Sequence, residues 1–185
     1  MIRWLFWILG GVLLGGIVHF VTVLALPQTA TQDAYTRLSA IAPVNTVAVL
    51  PQPTPQASVL PFMDPAFAAA VCRYDLSAGP LKLSIAVSQA YTAVSFYTLR
   101  GVAFYAINDR AAGRRVIELD LMTGEQRSAL PDDEEVTAAD RLIVESPTET
   151  GLILFRALAP EPGLIAAAQQ TVAAGNCAKL PQQRS

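Results

Sequence analysis

The chain has 185 residues, a formal net charge of −2 and a hydrophobic content of 52%, and it holds two cysteines and one histidine, His19. Because there is no basic excess, the sequence lacks the phosphate-binding patch of nucleic-acid-binding proteins, and we expect no nucleic-acid partner. The histidine lies in an apolar N-terminal run, so the rest of the chain cannot form a Ser-His-Asp, Cys-His or histidine-based zinc site. Ser-Lys and pure carboxylate chemistries stay open, and we expect no cofactor and no bound metal.

The first predicted element is an apolar run at residues 4–26 that contains no Asp, Glu, Lys or Arg. As a helix rising about 1.5 Å per residue, it is long enough to cross a hydrocarbon core of about 30 Å. The run is longer than the apolar core of a signal peptide, and no clean Ala-x-Ala site follows it. We therefore predict a transmembrane anchor over residues 1–26, with a cleaved signal sequence as the alternative.

The basic residues around this run predict its orientation. Arg3 precedes the run, and the first basic residue after it is Arg37. By the positive-inside rule, the N-terminus lies in the cytoplasm and the following domain lies outside. In a bacterium, this places a single-pass protein in the inner (plasma) membrane with its C-terminal domain in the periplasm.

Three residues of the predicted anchor are candidates for contact with another membrane helix. Gly11 and Gly15 form a GxxxG motif, whose small residues allow two helices to approach closely. His19 is an ionisable residue inside the run, where such side chains are costly and often functional. A homodimer or a second membrane-anchored protein are the partners that this pattern favours. The alternative is a plain tether, since glycine is common in membrane helices.

A helix and a proline-rich connector are predicted over residues 27–63. Residues 31–42 place Tyr35, Leu38 and Ile41 on one face of a short amphipathic helix, and residues 45–50 are compatible with a short strand. The connector then contains Pro51, Pro53, Pro55 and Pro61. Because proline fixes φ and donates no hydrogen bond, this segment is predicted to be extended rather than helical or paired in a sheet.

A β-rich domain is predicted over residues 64–178, followed by a loose tail at residues 179–185. Asp64 and Pro65 are typical of a helix start, so residues 64–72 are predicted as a short helix, and a second helix follows residue 163. Between them lie alternating or aromatic-rich strand segments at 72–76, 81–87, 91–99, 102–109, 115–122, 141–145 and 151–158. The predicted class is α+β and mainly antiparallel β: a sandwich-like meander of six to seven strands with short flanking helices, after one transmembrane helix.

The two cysteines, Cys72 and Cys177, lie at the two ends of the predicted domain. Two cysteines in an exported domain usually pair, and a bridge between them would close a loop of about 100 residues. Buried free thiols or a thiol for another chain are the alternatives. A redox-active pair is disfavoured because there is no CxxC motif.

Several short motifs resemble the bacterial family called domain of unknown function 1254, in its short membrane-anchored form. The matching residues are Cys72-Arg73-Tyr74-Asp75-Leu76, then Asn108-Asp109-Arg110, then Pro147, Gly151, Arg156 and Cys177. The resemblance covers roughly residues 3–177. It implies a β-rich fold and a second small membrane-anchored protein as partner, and it implies no particular activity. It marks Arg73, Asp75, Asn108, Asp109 and Arg156 as candidate binding residues.

Two functional hypotheses of different classes follow. The leading one is a non-enzymatic interaction or structural module of the cell envelope, since no residues form a recognisable catalytic constellation and we assign no catalytic residue. The alternative is an enzyme or small-ligand-binding domain in a sandwich cleft, which requires Asp75, Asp109 and Arg156 to converge. An acidic segment at 132–135 is interpreted as a solvated charge run rather than a calcium site. An aromatic band between residues 91 and 105 is either core packing or an exposed binding surface.

Overall fold

A computed structural model describes residues 2–29, 33–112, 115–130 and 142–180. The chain divides into two compact units, Met1–Asp33 and Ala34–Ser185, and each is described by itself. The acidic segment at 132–135 lies outside the described residues, as does most of the predicted tail. The start of the predicted helix at 31–42 does so as well.

The first unit is a single helix, α1, which spans Ile2–Thr29. Its segment Ile2–Leu26 has a mean hydropathy of 2.2 and is long and apolar enough to cross a membrane, by length and composition. None of the residues in its most apolar stretch is buried. The hydroxyl of Thr22 donates to the carbonyl oxygen of Val18 at 2.8 Å, so this polar group is satisfied within the helix itself. A membrane anchor and a signal sequence both have these properties.

The second unit contains nine strands and several short helices among its described residues. The strands are β1 Val47–Val49, β2 Phe67–Asp75, β3 Leu81–Ala86, β4 Thr92–Thr98, β5 Ala103–Asn108, β6 Val116–Thr123, β7 Leu142–Ser146, β8 Thr150–Leu158 and β9 Asn176–Lys179. The helices are α2 Ala34–Leu38, α3 Asp109–Ala112, α4 Gly124–Ser128, a 3₁₀ turn at Pro162–Leu164 and α5 Ile165–Ala173. The predicted α+β, mainly antiparallel fold class is confirmed.

The strands form two sheets. The first sheet has the order β1-β2-β8-β4-β5 and is antiparallel throughout, whereas the second has the order β7-β6-β3-β9. In the second sheet β6 and β7 are parallel, and its other pairs are antiparallel. The order therefore departs from a simple meander at β8, which returns to lie between β2 and β4. This return brings the late part of the chain onto the first core strand.

The core lies between the two sheets. Alternate residues of β3 (Leu81, Leu83 and Ile85) are buried, as the period-two pattern predicts for a strand with one face in the core. They meet alternate residues of the first sheet, among them Tyr74, Phe96 and Phe155. Ala168 and Val172 of α5 close the same core.

The prediction of a helix at residues 64–72 is wrong. Most of this segment belongs to β2, which pairs along its whole length with β8. One face of β2 points into the core and the other is covered by residues 34–63, so neither face alternates with polar side chains. A strand buried on both faces lacks the period-two signal, and its alanines then resemble a helix. Asp64 does cap a local turn, since its Oδ1 accepts from the N–H of Ala66 at 2.9 Å.

Residues 34–63 form a strap across the outer face of the first sheet. Leu38, Ala42 and Leu50 of the strap are buried against Ala69, Val71 and Leu152 of the sheet. The strap contributes α2 and the edge strand β1 before its proline-rich part. The strap thus encloses a second, smaller hydrophobic cluster on the side of the sheet away from the main core.

Candidate functional site

The predicted disulfide is present and joins the two sheets. Cys72 on β2 bonds to Cys177 on β9, with a Cα–Cα distance of 6.5 Å and a sequence separation of 105. Both cysteines belong to the main hydrophobic core. The bridge therefore links the first core strand to the last strand of the domain across the sandwich.

Arg73, the residue after the first cysteine, contacts the strap at two points. Its guanidinium carbon lies 4.2 Å from the ring centroid of Tyr35 on α2. Its Nη1 donates to the carbonyl oxygen of Ala42 at 3.2 Å. A cation–π contact and a charge-assisted hydrogen bond in one side chain assign Arg73 a structural task, the positioning of residues 34–63.

Tyr74 is fully buried at the centre of the motif. Its hydroxyl lies 2.9 Å from Oγ of Ser146 and 3.3 Å from Oγ1 of Thr148. Burial raises the pKa of this hydroxyl above its ordinary value of 10.0, although both hydrogen bonds act in the opposite direction. Tyr74 is therefore neutral, and it ties β2 to the turn between β7 and β8.

Asp75 ends β2 with hydrogen bonds to Asn45 of the strap and to Ser77. Its backbone N–H donates to the side chain of Asn45 at 2.8 Å, and the Asn45 amide donates to its carbonyl oxygen at 3.0 Å. Its carboxylate accepts from the N–H of Ser77 at 2.9 Å. The hydroxyl and the N–H of Ser77 hold the pKa of Asp75 below its ordinary value of 3.8, so the group is ionised at neutral pH. The hydrogen bond from Ser77 closes a turn, and those with Asn45 join the strap to the end of β2.

Asn108 and Arg156 lie on the strap side of the first sheet, in one row. Arg156 of β8 pairs with Ala93 of β4, which in turn pairs with Asn108 of β5. Two strand spacings put their Cα atoms about 10 Å apart. Asn108 accepts a hydrogen bond from the N–H of Ala111 at 3.0 Å and so caps α3. The guanidinium of Arg156 lies 5.7 Å from the ring centroid of Phe67.

The structure does not bring Asp75, Asp109 and Arg156 into one cleft. Asp75 pairs with Thr150 at one end of β8, and Arg156 lies six residues further along that strand, about 20 Å away. Asp109 begins α3, and its buried Oδ1 has no hydrogen-bond partner within the described residues. The convergence that the enzyme or ligand-binding alternative requires is absent. Among the described residues, no three His, Cys, Asp or Glu side chains form a metal site.

The aromatic band belongs largely to the core. Phe96 is completely buried, and its ring centroid lies 6.0 Å from that of Phe104 and 5.8 Å from that of Tyr105. Phe104 and Tyr105 are partly buried against the same cluster. Of the two alternatives for the band, core packing therefore accounts for these three rings.

The sequence did not single out Phe62, which is completely exposed. Its backbone has φ +59°, in the left-handed region that bulky side chains rarely adopt. Its neighbours Leu60 and Met63 pack against the hydrophobic cluster under the strap. The only signal in the sequence is its place beside Pro61, at the end of the proline-rich segment, and this does not indicate exposure.

Comparisons with known proteins show both family and fold. The family described as "Protein of unknown function (DUF1254)" matches residues 44–178. No curated protein matches the chain. The crystal structure of the VPA0106 protein from Vibrio parahaemolyticus is similar, with a TM-score of 0.57 and 14% identity, over 82% of this chain and 38% of that one. A structure of an uncharacterized protein from Burkholderia cenocepacia has a TM-score of 0.44 and 15% identity, over 64% and 33% of the two chains. The chain spans less than two fifths of the length of either.

Proposed function

Since the chain belongs to the DUF1254 family of proteins of unknown function, we propose that it is a single-pass inner-membrane protein whose periplasmic domain acts as an interaction module of the cell envelope. Its partner is a second copy or another small membrane-anchored protein. The contact involves α1 together with the second unit, Ala34–Ser185, which we call the outer domain.

Two features support the location. The segment Ile2–Leu26 has the length and apolarity of a membrane span, and Arg3 lies at its N-terminal end. The Cys72–Cys177 disulfide is typical of proteins in an oxidising compartment such as the bacterial periplasm. A domain carried outside by an uncleaved anchor satisfies both features at once.

The proposal depends mainly on Phe62, whose side chain is exposed on a backbone of unfavourable conformation. The ring of Phe62 is fully exposed, so hydrophobic burial within this chain does not stabilise it. Its backbone at φ +59° lowers the stability of the fold by on the order of 1–3 kcal/mol. Because Leu60 and Met63 anchor the chain on both sides, this costly arrangement is held in place. Exposed aromatic side chains of this kind are the anchors of protein–protein interfaces. We therefore assign Phe62 as the main contact of the outer domain.

The helix α1 offers a second contact, along one stripe. Gly11, Gly15 and His19 are spaced four residues apart on a continuous helix, so they lie one above the other. An added Cβ at Gly10, Gly11, Gly15 or Gly16 would meet no described residue within 4 Å. The stripe is thus free to receive a partner helix at close range, with His19 as a polar contact.

Replacing both stripe glycines, Gly11→Leu with Gly15→Leu, should weaken assembly of the full chain in mild detergent by about tenfold, because leucine keeps the two backbones apart. His19→Leu should weaken it by about threefold, the effect of losing one hydrogen bond between membrane helices. The measurement is the concentration dependence of the assembled fraction, followed by light scattering or cross-linking.

Gly10→Leu is the matched control, since it makes the same change about 100° around the helix. It should leave assembly unchanged, and none of these variants should alter the thermal unfolding of the outer domain. Assembly that is the same in the Gly11→Leu and Gly15→Leu double variant as in the parent would leave α1 as a plain tether.

A further inference from the structure

A groove lies at one end of the outer domain, beside α5. The loop at residues 87–90, between β3 and β4, forms one wall, and α5 with the preceding 3₁₀ turn forms the other. The groove has a volume of about 710 Å³, which is within the range of binding sites for small molecules and short peptides. The side chains that matter for its chemistry are Ser88, Gln89, Leu158, Ala168, Gln170 and Thr171.

The groove carries no charge. None of the described residues that line it is Asp, Glu, Lys, Arg or His. An ionic ligand would find no counter-charge on this lining. The occupant that fits this groove is therefore uncharged.

Two free amides face the groove from opposite walls. Gln89 on the loop and Gln170 on α5 are both exposed, and neither side-chain amide has a hydrogen-bond partner within the described residues. A primary amide offers two N–H donors and one carbonyl acceptor. Such a pair matches a ligand that itself presents a donor and an acceptor side by side, as every peptide group does.

The two hydroxyls of the groove add acceptors only. The hydroxyl of Ser88 already donates to the carbonyl oxygen of Tyr91, at 3.1 Å, and that of Thr171 donates to the carbonyl oxygen of Ala167, at 3.1 Å. Each oxygen keeps lone pairs free to accept. They favour a ligand with N–H or O–H donors over one that only accepts.

The rest of the lining is apolar, and it combines small residues with the larger Val87, Pro160 and Leu164. Ala90, Ala167 and Ala168 leave room for a backbone to come close, and Leu158 lies beside them. Among the described residues, no aromatic ring lines the groove, so a planar ring such as a nucleobase has nothing to stack on. An extended chain with small side chains fits these walls better than a rigid ring.

We propose that this groove binds an uncharged, extended peptide segment with small apolar side chains, whose backbone is hydrogen-bonded between Gln89 and Gln170. The proposal does not depend on the assembly proposed above. It assigns a recognition site to α5 and the β3–β4 loop, separate from Phe62 and from the disulfide.

The test uses the oxidised full chain in detergent or nanodiscs and a blocked hexapeptide of alternating alanine and valine, acetylated and amidated at its ends. Binding should be saturable, and it should shift the side-chain amide NMR signals of Gln89 and Gln170. Gln89→Ala and Gln170→Ala should each raise the Kd by about fivefold, the effect of losing one neutral hydrogen bond. Ala167→Trp, on the exposed side of α5, should abolish binding by filling the groove.

Gln169→Ala is the matched control, because the same residue type lies next in sequence but does not line the groove. Its Kd should equal that of the parent. A Kd that neither glutamine variant changes would overturn the proposal. So would equal affinity for a hexapeptide carrying two lysines, tighter binding of an uncharged oligosaccharide, or no saturable binding of the blocked peptide.

Discussion

Removing the disulfide by Cys72→Ala with Cys177→Ala should lower the free energy of unfolding of the outer domain by about 4–5 kcal/mol. The bridge closes a loop of 105 residues, and the chain-entropy model assigns about 4.7 kcal/mol to a loop of about that size. Alanine is the suitable replacement because both positions are buried, and a serine hydroxyl there would lack a partner. The measurement is urea unfolding of the full chain, followed by far-UV circular dichroism.

Reduction supplies the control for this prediction. A reductant should destabilise the parent protein by a similar amount, and it should leave the double alanine variant unchanged. Unfolding midpoints that coincide for the oxidised parent and the double variant would mean that the bridge contributes no stability.

Gly151→Ala should destabilise the domain by about 2–4 kcal/mol, as an overpacked core position does. A Cβ at this position would overlap the backbone carbonyl oxygen of Tyr97 and the hydroxyl of Tyr74, and it would lie 2.6 Å from Cζ of Tyr74. Tyr74 is fully buried and bonds to Ser146 and Thr148, so it has no room to retreat. Thermal unfolding of the full chain measures the loss.

Gly163→Ala is the matched control, since an added Cβ there would meet nothing within 4 Å in the part of the chain that the structure describes. Its stability should stay within about 0.5 kcal/mol of the parent, the usual range for surface changes. Tyr74→Leu places a smaller side chain at this contact. In that background Gly151→Ala should lower the free energy of unfolding by less than it does in the parent. Additive losses would show that Tyr74 is not what excludes a side chain from position 151.

The fold could be predicted from the sequence where one face of an element meets water. In β3 the buried Leu81, Leu83 and Ile85 alternate with Lys82 and Ser84, so the period-two pattern is visible without a structure. In β2 both faces are covered, and the alternation that identifies a strand is lost. The strand order could not be predicted either, because β8 pairs with β2 and β4, which lie far from it in the sequence.

The candidate sites were less predictable, because they depend on contacts between distant segments. The disulfide could be predicted because only two cysteines exist to pair. The exposure of Phe62 depends on how its neighbours pack on a strap whose path no pattern specifies. The groove forms only where α5 approaches the β3–β4 loop, and neither segment carries a motif by itself.

The most direct test of the proposed interaction module is photo-crosslinking in cells at position 62. Phe62 is replaced by the photo-reactive analogue benzoyl-phenylalanine in the full chain, with the same replacement at Gln56, another exposed residue of the strap, as control. We expect one discrete cross-linked species from position 62, identified by mass spectrometry as a second copy or one membrane-anchored protein, and none from position 56. Monomer alone at both positions, or the same diffuse products from both, would contradict the proposal.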